Sequence, residues 1–95
     1  MTYQEFRDAL TADAPPAGLS LALQALWWDA KGDWARAHTC AQDQDDAQGA
    51  WVHAYLHRVE GDLANAGYWY RRAGRPQTEV ALADEWSAIA AALLA

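Results

Sequence analysis

The chain has 95 residues, 53% of them hydrophobic, with six Trp, four Tyr and a formal net charge of −6. This length fits one domain near the lower limit of what a single apolar core stabilises, and the negative charge argues against nucleic-acid binding. The single cysteine, Cys40, excludes an internal disulfide. The N-terminus has no apolar run of signal-peptide length, and no run in the chain is long enough for a membrane span. We therefore expect one cytoplasmic domain over 1–95, with neither a nucleic-acid nor a membrane partner.

The first helix is predicted near 2–12, inside an N-terminal segment 1–14. Thr2 and Glu5 have the spacing of a capping box, in which each side chain accepts a hydrogen bond from the other residue's backbone. Pro15 and Pro16 follow, and proline is tolerated in the first turn of a helix. We expect these prolines to open a second helix that runs to about Lys31.

An internal repeat organises the middle of the chain. The octet AKGDWARA at 30–37 recurs 29 residues later as VEGDLANA at 59–66. Glycine suits the left-handed position after a helix, and aspartate suits the N-cap of the next one. Each copy therefore predicts a helix–turn–helix hairpin, with unit one at 18–45 and unit two at 46–76. The predicted helices are 34–44, 47–60 and 63–73, and Asp45 with Gln48 offers a capping box for the second of them.

The last predicted helix, 79–94, follows a stop at Gly74-Arg75-Pro76 and has Thr78 as its cap. It carries a long apolar stripe, formed by Val80, Leu82, Trp86, Ile89, Leu93 and Leu94. Because such a stripe is costly to leave in water, segment 78–95 is expected either to cap the hairpins or to form a homodimer interface. About six helices cover nearly the whole chain, which predicts an all-α fold.

Unit two resembles the second half of a tetratricopeptide repeat. That family has Gly-Asp at the turn, then a small residue, an aromatic residue, a second small residue and a closing proline, which here are Ala66, Tyr70, Ala73 and Pro76. The resemblance extends over about 18–76, although the period is 29 rather than about 34 and unit one has Ala41 in the aromatic position. It implies stacked helical hairpins that bind a polypeptide, with terminal helices as caps. The run 51–75 is also similar to small uncharacterised bacterial proteins, which implies no activity.

A candidate binding stripe follows from this resemblance, because the first helix of each hairpin lines the concave face in such stacks. In unit two the matching positions are Gln48, Trp51, Tyr55 and Arg58. Aromatic residues beside arginine dominate binding hot spots, and arginine forms paired hydrogen bonds with carboxylates. The expected partner is a protein or peptide with an acidic or C-terminal carboxylate group. The alternative is that Trp51 packs under a terminal helix.

A second polar and aromatic stripe is expected on the last helix of unit two. Tyr68 and Arg72 share one side of that helix, and Arg72 can stack on Trp69 as a cation–π pair. Together with Arg75 it offers anchors for an anionic group. The alternative is that the arginine only covers the aromatic ring.

Three histidines offer a different function. His53 and His57 have the i, i+4 spacing that lets two imidazoles share a metal ion, with Glu60 one turn further and His38 in the preceding helix. The zinc-protease motif is excluded, since Ala54 stands where its glutamate belongs. The alternatives are zinc or another divalent metal, proton transfer, or histidines that pack in the seam with hydrogen bonds to carbonyls or carboxylates.

Catalysis has no clear signal in the sequence. Ser20 and Ser87 have no histidine nearby in sequence, and His38 and Cys40 are two residues apart, so they do not face each other on a helix. Neither Gly-Asp turn has the spacing of a phosphate-binding loop. The main prediction is therefore a protein-binding module without a cofactor, leaning away from an enzyme, and the alternative is a small metal-binding or metal-dependent protein.

Overall fold

A computed structural model of the chain describes residues 1–95 and consists of six α-helices, a short 3-10 segment and no strand. The helices are α1 (Tyr3–Asp8), α2 (Leu21–Ala30), α3 (Trp34–Asp43), α4 (Ala47–Val59), α5 (Leu63–Ala73) and α6 (Leu82–Leu94). The 3-10 segment, Ala9–Thr11, follows α1 directly. The predicted all-α fold of six helices is confirmed. None of these helices combines the length and the hydropathy that a membrane crossing requires.

The two Gly-Asp corners adopt the same turn. Gly32 and Gly61 have φ values of +84° and +85°, a region that side chains other than glycine rarely adopt. Asp33 then caps α3 by accepting from the backbone N–H of Arg36, and Asp62 caps α5 in the same way. These local preferences produce two helical hairpins, α2–α3 and α4–α5, at the predicted positions.

The hairpins pack against each other mainly where α3 meets α4 and where α2 meets α4. The buried alanines Ala37 and Ala41 of α3 belong to the same apolar cluster as Leu56 of α4, and their small side chains leave room for the helices to approach closely. The indole N–H of Trp34 donates to the carbonyl of Leu56 at 2.9 Å, which joins α3 to α4. The seam between α3 and α4 is therefore held by both packing and a hydrogen bond.

The terminal helices close the structure. Trp86 of α6 stacks on Phe6 of α1 with ring centroids 5.7 Å apart, and its indole N–H donates to the carbonyl of Leu26 in α2 at 2.9 Å. Ile89 and Ala90 are also fully buried against the chain. Most of the predicted apolar stripe of α6 thus packs within its own chain, as Leu93 and Leu94 do, which is the capping arrangement that the sequence offered as one of two alternatives. Leu82 is an exception, since its side chain is exposed.

The start of α2 and the capping residue of α4 differ from the sequence prediction. Pro15 and Pro16 lie in the connection before α2, which begins at Leu21 because the side chain of Ser20 accepts from the N–H of Leu23 and caps the helix there. Gly18 lies between the prolines and α2 with a φ of +85°, which interrupts any helix that would begin at the prolines. At α4 the capping side chain is that of Asp46, which accepts from the N–H of Gly49 at 2.8 Å, so the predicted role of Asp45 is wrong.

The last helix also starts later than predicted, at Leu82 rather than at 79. Thr78 does not cap it, because its hydroxyl accepts from the N–H of Val80 at 3.3 Å inside a non-helical segment. Arg58 donates to the carbonyl of Val80 and holds this segment against α4. Val80 is consequently half exposed and does not belong to the apolar stripe.

Candidate functional site

The predicted binding stripe on α4 is partly covered by α6. Tyr55 is only 3% exposed, and its hydroxyl donates to Asp29 Oδ2 on α2 at 3.2 Å. Burial, and then the charge of Asp29, raises the pKa of Tyr55 and keeps the phenol protonated as a donor. Tyr55 therefore takes part in the packing between α2 and α4, and only a small part of its side chain borders a depression of about 420 Å³ that Asp29 and Trp86 also line.

Arg58 is the link between α4 and α6. It donates to Glu85 Oε1 at 2.8 Å, and Glu85, which is buried, also accepts from the hydroxyl of Tyr70. The sequence prediction placed the arginine on an open binding face, whereas its side chain is 13% exposed and its charge is neutralised inside the molecule. The carboxylate of Glu85 takes the position that the prediction gave to a partner's carboxylate.

The other two stripe residues remain at the surface. The guanidinium carbon of Arg75 lies 3.7 Å from the centre of the Trp51 ring. Gln48 and Arg75 are exposed, and Trp51 is partly exposed. These three residues line a depression of about 120 Å³ that Leu93 of α6 also borders, and a neighbouring depression of about 300 Å³ lies on the other side of Trp51 and Arg75. We refer to Gln48, Trp51 and Arg75 as the Trp51–Arg75 surface.

The predicted stripe on α5 is present and exposed. Arg72 donates to the hydroxyl of Tyr68 at 3.2 Å, and its guanidinium carbon lies 5.0 Å from the centre of the Trp69 ring. Arg72 also approaches Asp45 to 3.7 Å. Because both charged side chains are largely solvated, this ion pair contributes little to stability. The arginine therefore covers Trp69 and stays accessible from outside.

All three histidines of the chain come together in the seam between α3 and α4. His38 comes from α3, and His53 and His57 come from successive turns of α4; one nitrogen of each lies within 4.8 Å of the others. We refer to these three residues as the histidine cluster. Trp34 stacks on the ring of His38 at 4.8 Å, and Trp69 stacks on the ring of His53 at 3.9 Å. The helical spacing and the hairpin turn together produce this convergence.

The members of the cluster differ in their hydrogen bonds. His57 Nδ1 lies 2.6 Å from Glu60 Oε1, which is the satisfied arrangement expected for a packed histidine. His38 and His53 form no hydrogen bond within the protein, although His53 is only 4% exposed. The nitrogens of His53 keep some contact with solvent, since no fully enclosed side-chain nitrogen or oxygen lacks a partner. The packing explanation therefore accounts for His57 and leaves the other two imidazoles with unused nitrogens.

The electrostatic environment favours uncharged rings at two of these positions. Burial lowers the pKa of His53 to about 4, and the neighbouring His38, His57 and Arg72 act in the same direction. The pKa of His38 is also lowered, first by burial and then by His57. Both side chains are therefore neutral imidazoles at pH 7, with a lone pair available to a hydrogen-bond donor or a metal ion.

Glu60 belongs to a second, more exposed group of possible ligands, with His57 and Asp62. Asp62 is already used as the cap of α5, where its side chain accepts from the N–H of Asn65. Glu60 is committed to His57. Of the two groups of possible metal ligands, the histidine cluster is therefore the one whose ligand atoms are not already used in hydrogen bonds at two of its three residues.

Some residues at these sites were not predicted from the sequence. Trp34 and Trp69 flank the cluster, and Glu85 neutralises Arg58. Trp34 does stand four residues before His38, a spacing that places two side chains on one helical face. Comparison with protein-family models, with curated proteins and with solved structures finds no match to this chain.

Proposed function

We propose that this protein is a cytoplasmic, non-enzymatic module of two tetratricopeptide-like hairpins that binds another polypeptide at the Trp51–Arg75 surface. The observation that carries the proposal is the exposed guanidinium of Arg75, which is stacked on Trp51 and has no carboxylate partner in the chain. The ligand is a short peptide segment that presents a carboxylate beside an apolar side chain.

Stacking on Trp51 supports the binding role of Arg75. A guanidinium held against the face of an aromatic ring loses less rotational freedom when it binds, and its N–H groups remain free to form paired hydrogen bonds with a carboxylate. Trp and Arg are also the residue types most enriched at binding hot spots. The exposed amide of Gln48 borders the same depression and can hydrogen-bond to a peptide backbone.

The size of the surface supports a short ligand. The depressions beside Trp51 and Arg75 measure only about 120 and 300 Å³. These volumes suit one or two side chains rather than a long helix. Arg72 and Tyr68 on the outer face of α5 would be a separate contact for an acidic partner.

A homodimer through α6 is the second expectation about partners. Trp86, Ile89 and Ala90 are used within the chain, so a second copy would have to meet the outer, alanine-rich side of α6. Sedimentation equilibrium across a range of protein concentrations measures this association directly.

Selection of peptides with free C-termini, followed by affinity measurement on the wild type and an Arg75→Gln variant, tests the proposal. We expect carboxylate-bearing peptides to be enriched and the variant to weaken their binding by about 1.5–3 kcal/mol. Arg36→Gln is the matched control, since Arg36 also stacks on a partly exposed tryptophan, Trp28, at 4.4 Å but on the first hairpin. Equal affinity for Arg75→Gln and the wild type would refute the proposal.

A further inference from the structure

We infer that the histidine cluster binds one divalent transition-metal ion of the zinc class, with His38, His53 and His57 as its three protein ligands. This inference is independent of peptide binding at the Trp51–Arg75 surface. It rests on the convergence of all three histidines of the chain, on the unused nitrogens of two of them, and on the hydrogen bond that orients the third.

The ligand set matches the preferences of the ion. Three imidazole nitrogens with a fourth position left to water are a recurrent zinc arrangement, and imidazole also suits Co²⁺, Ni²⁺ and Cu²⁺. Tetrahedral binding with bonds of about 2.0–2.1 Å needs nitrogens roughly 3.3 Å apart. The nitrogens here lie within 4.8 Å of one another, so rotation of the side chains by small angles has to close the remaining gap.

Glu60 gives His57 the orientation of a metal ligand. With Nδ1 directed at the Glu60 carboxylate at 2.6 Å, the remaining nitrogen, Nε2, is the one that a metal can use. Carboxylates that hydrogen-bond to ligating histidines fix the ring orientation and increase ligand basicity. Glu60 is in this account a positioning residue and not a ligand.

The neighbouring side chains provide access and rigidity. A depression of about 210 Å³ reaches His53 and Trp69 from the surface, so an ion can approach the cluster from the side of His53. Trp34 and Trp69 stack on two of the rings and restrict their movement. Arg72 adds a positive charge near His53. The carboxylate of Asp45 lies 3.7 Å from the guanidinium of Arg72 and partly offsets this charge.

The three ligands come from both hairpins, so a bound ion affects how the hairpins are held together. His38 belongs to the first hairpin and the other two ligands belong to the second, so the bound ion joins the two hairpins. Two stacked hairpins are fewer than the three usually needed for an independent stack, and small domains often depend on a metal for stability. Metal binding is therefore expected to stabilise the fold as well as to fill the site.

The test uses untagged full-length protein, freed of metal by a chelator. Titration with Co²⁺ is followed by the visible absorption of four-coordinate cobalt, titration with Zn²⁺ is followed by calorimetry, and melting is recorded with and without Zn²⁺. We expect one ion per chain, and a rise in Tm of about 10–20 °C when free Zn²⁺ exceeds Kd a hundredfold.

Variants identify the ligands. His38→Gln, His53→Gln and His57→Gln should each weaken binding at least a hundredfold and abolish the rise in Tm, whereas Glu60→Gln should weaken it about 10–100-fold. Cys40→Ser is the control, because Cys40 is the only thiol and lies two residues from His38. It should bind as the wild type does.

If His53→Gln and His57→Gln fail to fold, His38→Gln still tests whether the histidines bind the metal. His38 is only partly buried, so its metal-free melting should stay close to that of the wild type. Absence of cobalt absorption and of any Zn²⁺-dependent change in Tm would overturn the inference. Binding that survives His38→Gln unchanged, or that is lost in Cys40→Ser, would overturn this ligand assignment.

Discussion

A buried carboxylate determines how the last helix meets the hairpins. Glu85 accepts from Arg58 at 2.8 Å and from the hydroxyl of Tyr70, so one side chain connects α4, α5 and α6. Burial, and then the hydrogen bond to Glu85, raises the pKa of Tyr70 and keeps its hydroxyl a donor. The three groups satisfy one another, and removing one leaves the others without a partner.

Glu85→Ala should lower the free energy of unfolding by about 3–5 kcal/mol, because it leaves the charge of Arg58 buried without its partner. The double variant Arg58→Met, Glu85→Leu removes both charges and should recover most of that loss. Urea unfolding of the single variants Arg58→Met and Glu85→Leu, and of the double variant, gives the coupling energy. Losses that simply add would show that the ion pair does not hold α6 in place.

The pKa of His53 predicts how stability changes in mild acid. Its folded pKa of about 4 lies below its ordinary value of 6.5, so between these values the unfolded chain binds more protons than the folded one. Stability should therefore fall as the pH is lowered from about 6.5 toward 4, with His38 contributing in the same direction. His57 and Arg72 are the other groups that act on the His53 ring.

Urea unfolding of chelator-treated protein at pH 7 and pH 5 measures this dependence. His53→Gln lacks the titrating ring, so its stability should change less between the two pH values than that of the wild type. The same pH dependence in both proteins would place the effect on other groups.

At the scale of single helices, the first turn of α4 depends on the absence of a side chain at Gly49. A Cβ at this position would overlap the carbonyl of Gln44, which belongs to the turn that leads into α4. Gly49→Ala should therefore destabilise the fold by about 1–3 kcal/mol, although alanine is normally the better helix former.

Gly67→Ala is the matched control in α5. There a Cβ would meet mainly the amide nitrogen of Gln77 at 3.0 Å, at the end of a flexible side chain that can move away. This variant should gain up to about 1 kcal/mol from helix propensity. Chemical denaturation of both variants checks the pair, and a stabilised Gly49→Ala would contradict the close approach.

The Gly-Asp hairpins could be predicted from the sequence because their signals are local. A glycine at positive φ followed by a capping aspartate fixes each corner without any distant contact. The sequence does not predict the starts of α2 and α6 correctly. The side chain of Ser20 caps α2 after the two prolines, and the hydrogen bond from Arg58 to the carbonyl of Val80 keeps the residues before α6 non-helical.

In the candidate sites, too, features set by nearby residues could be predicted from the sequence, whereas contacts between distant residues could not. The spacing of His53 and His57 is visible in one helix, and the hairpin order places His38 beside them. The ion pair of Arg58 with Glu85 could not be predicted in the same way, because Glu85 lies 27 residues further along the chain and contacts Arg58 only when α6 has packed on α4. Sequence spacing predicts which residues share a face, whereas coverage of that face depends on tertiary packing.

At the scale of the whole molecule, Trp86 ties the two ends of the chain to the hairpins. It contacts Phe6 of α1 and hydrogen-bonds to the carbonyl of Leu26, 60 residues earlier in the chain. Trp86→Ala should cost about 3–5 kcal/mol, a large part of the 5–15 kcal/mol that holds a typical domain together.

Trp28→Ala is the comparison, since this tryptophan is only partly buried and packs edge-on against Trp27. It should cost clearly less than Trp86→Ala. Equal losses, measured by urea unfolding, would indicate that α6 does not close the core.

The seam between the two hairpins brings the three histidines of the chain together, and we infer that they form one metal-binding site. Nitrogen-15 spectra of the imidazole rings and ring-to-ring nuclear Overhauser effects, recorded before and after one equivalent of Zn²⁺ is added, measure this arrangement. We predict cross-peaks among the rings of His38, His53 and His57 in the free protein, and one concerted change of all three rings on addition of zinc. Rings without mutual cross-peaks, or rings that respond to zinc separately or not at all, would contradict the claim.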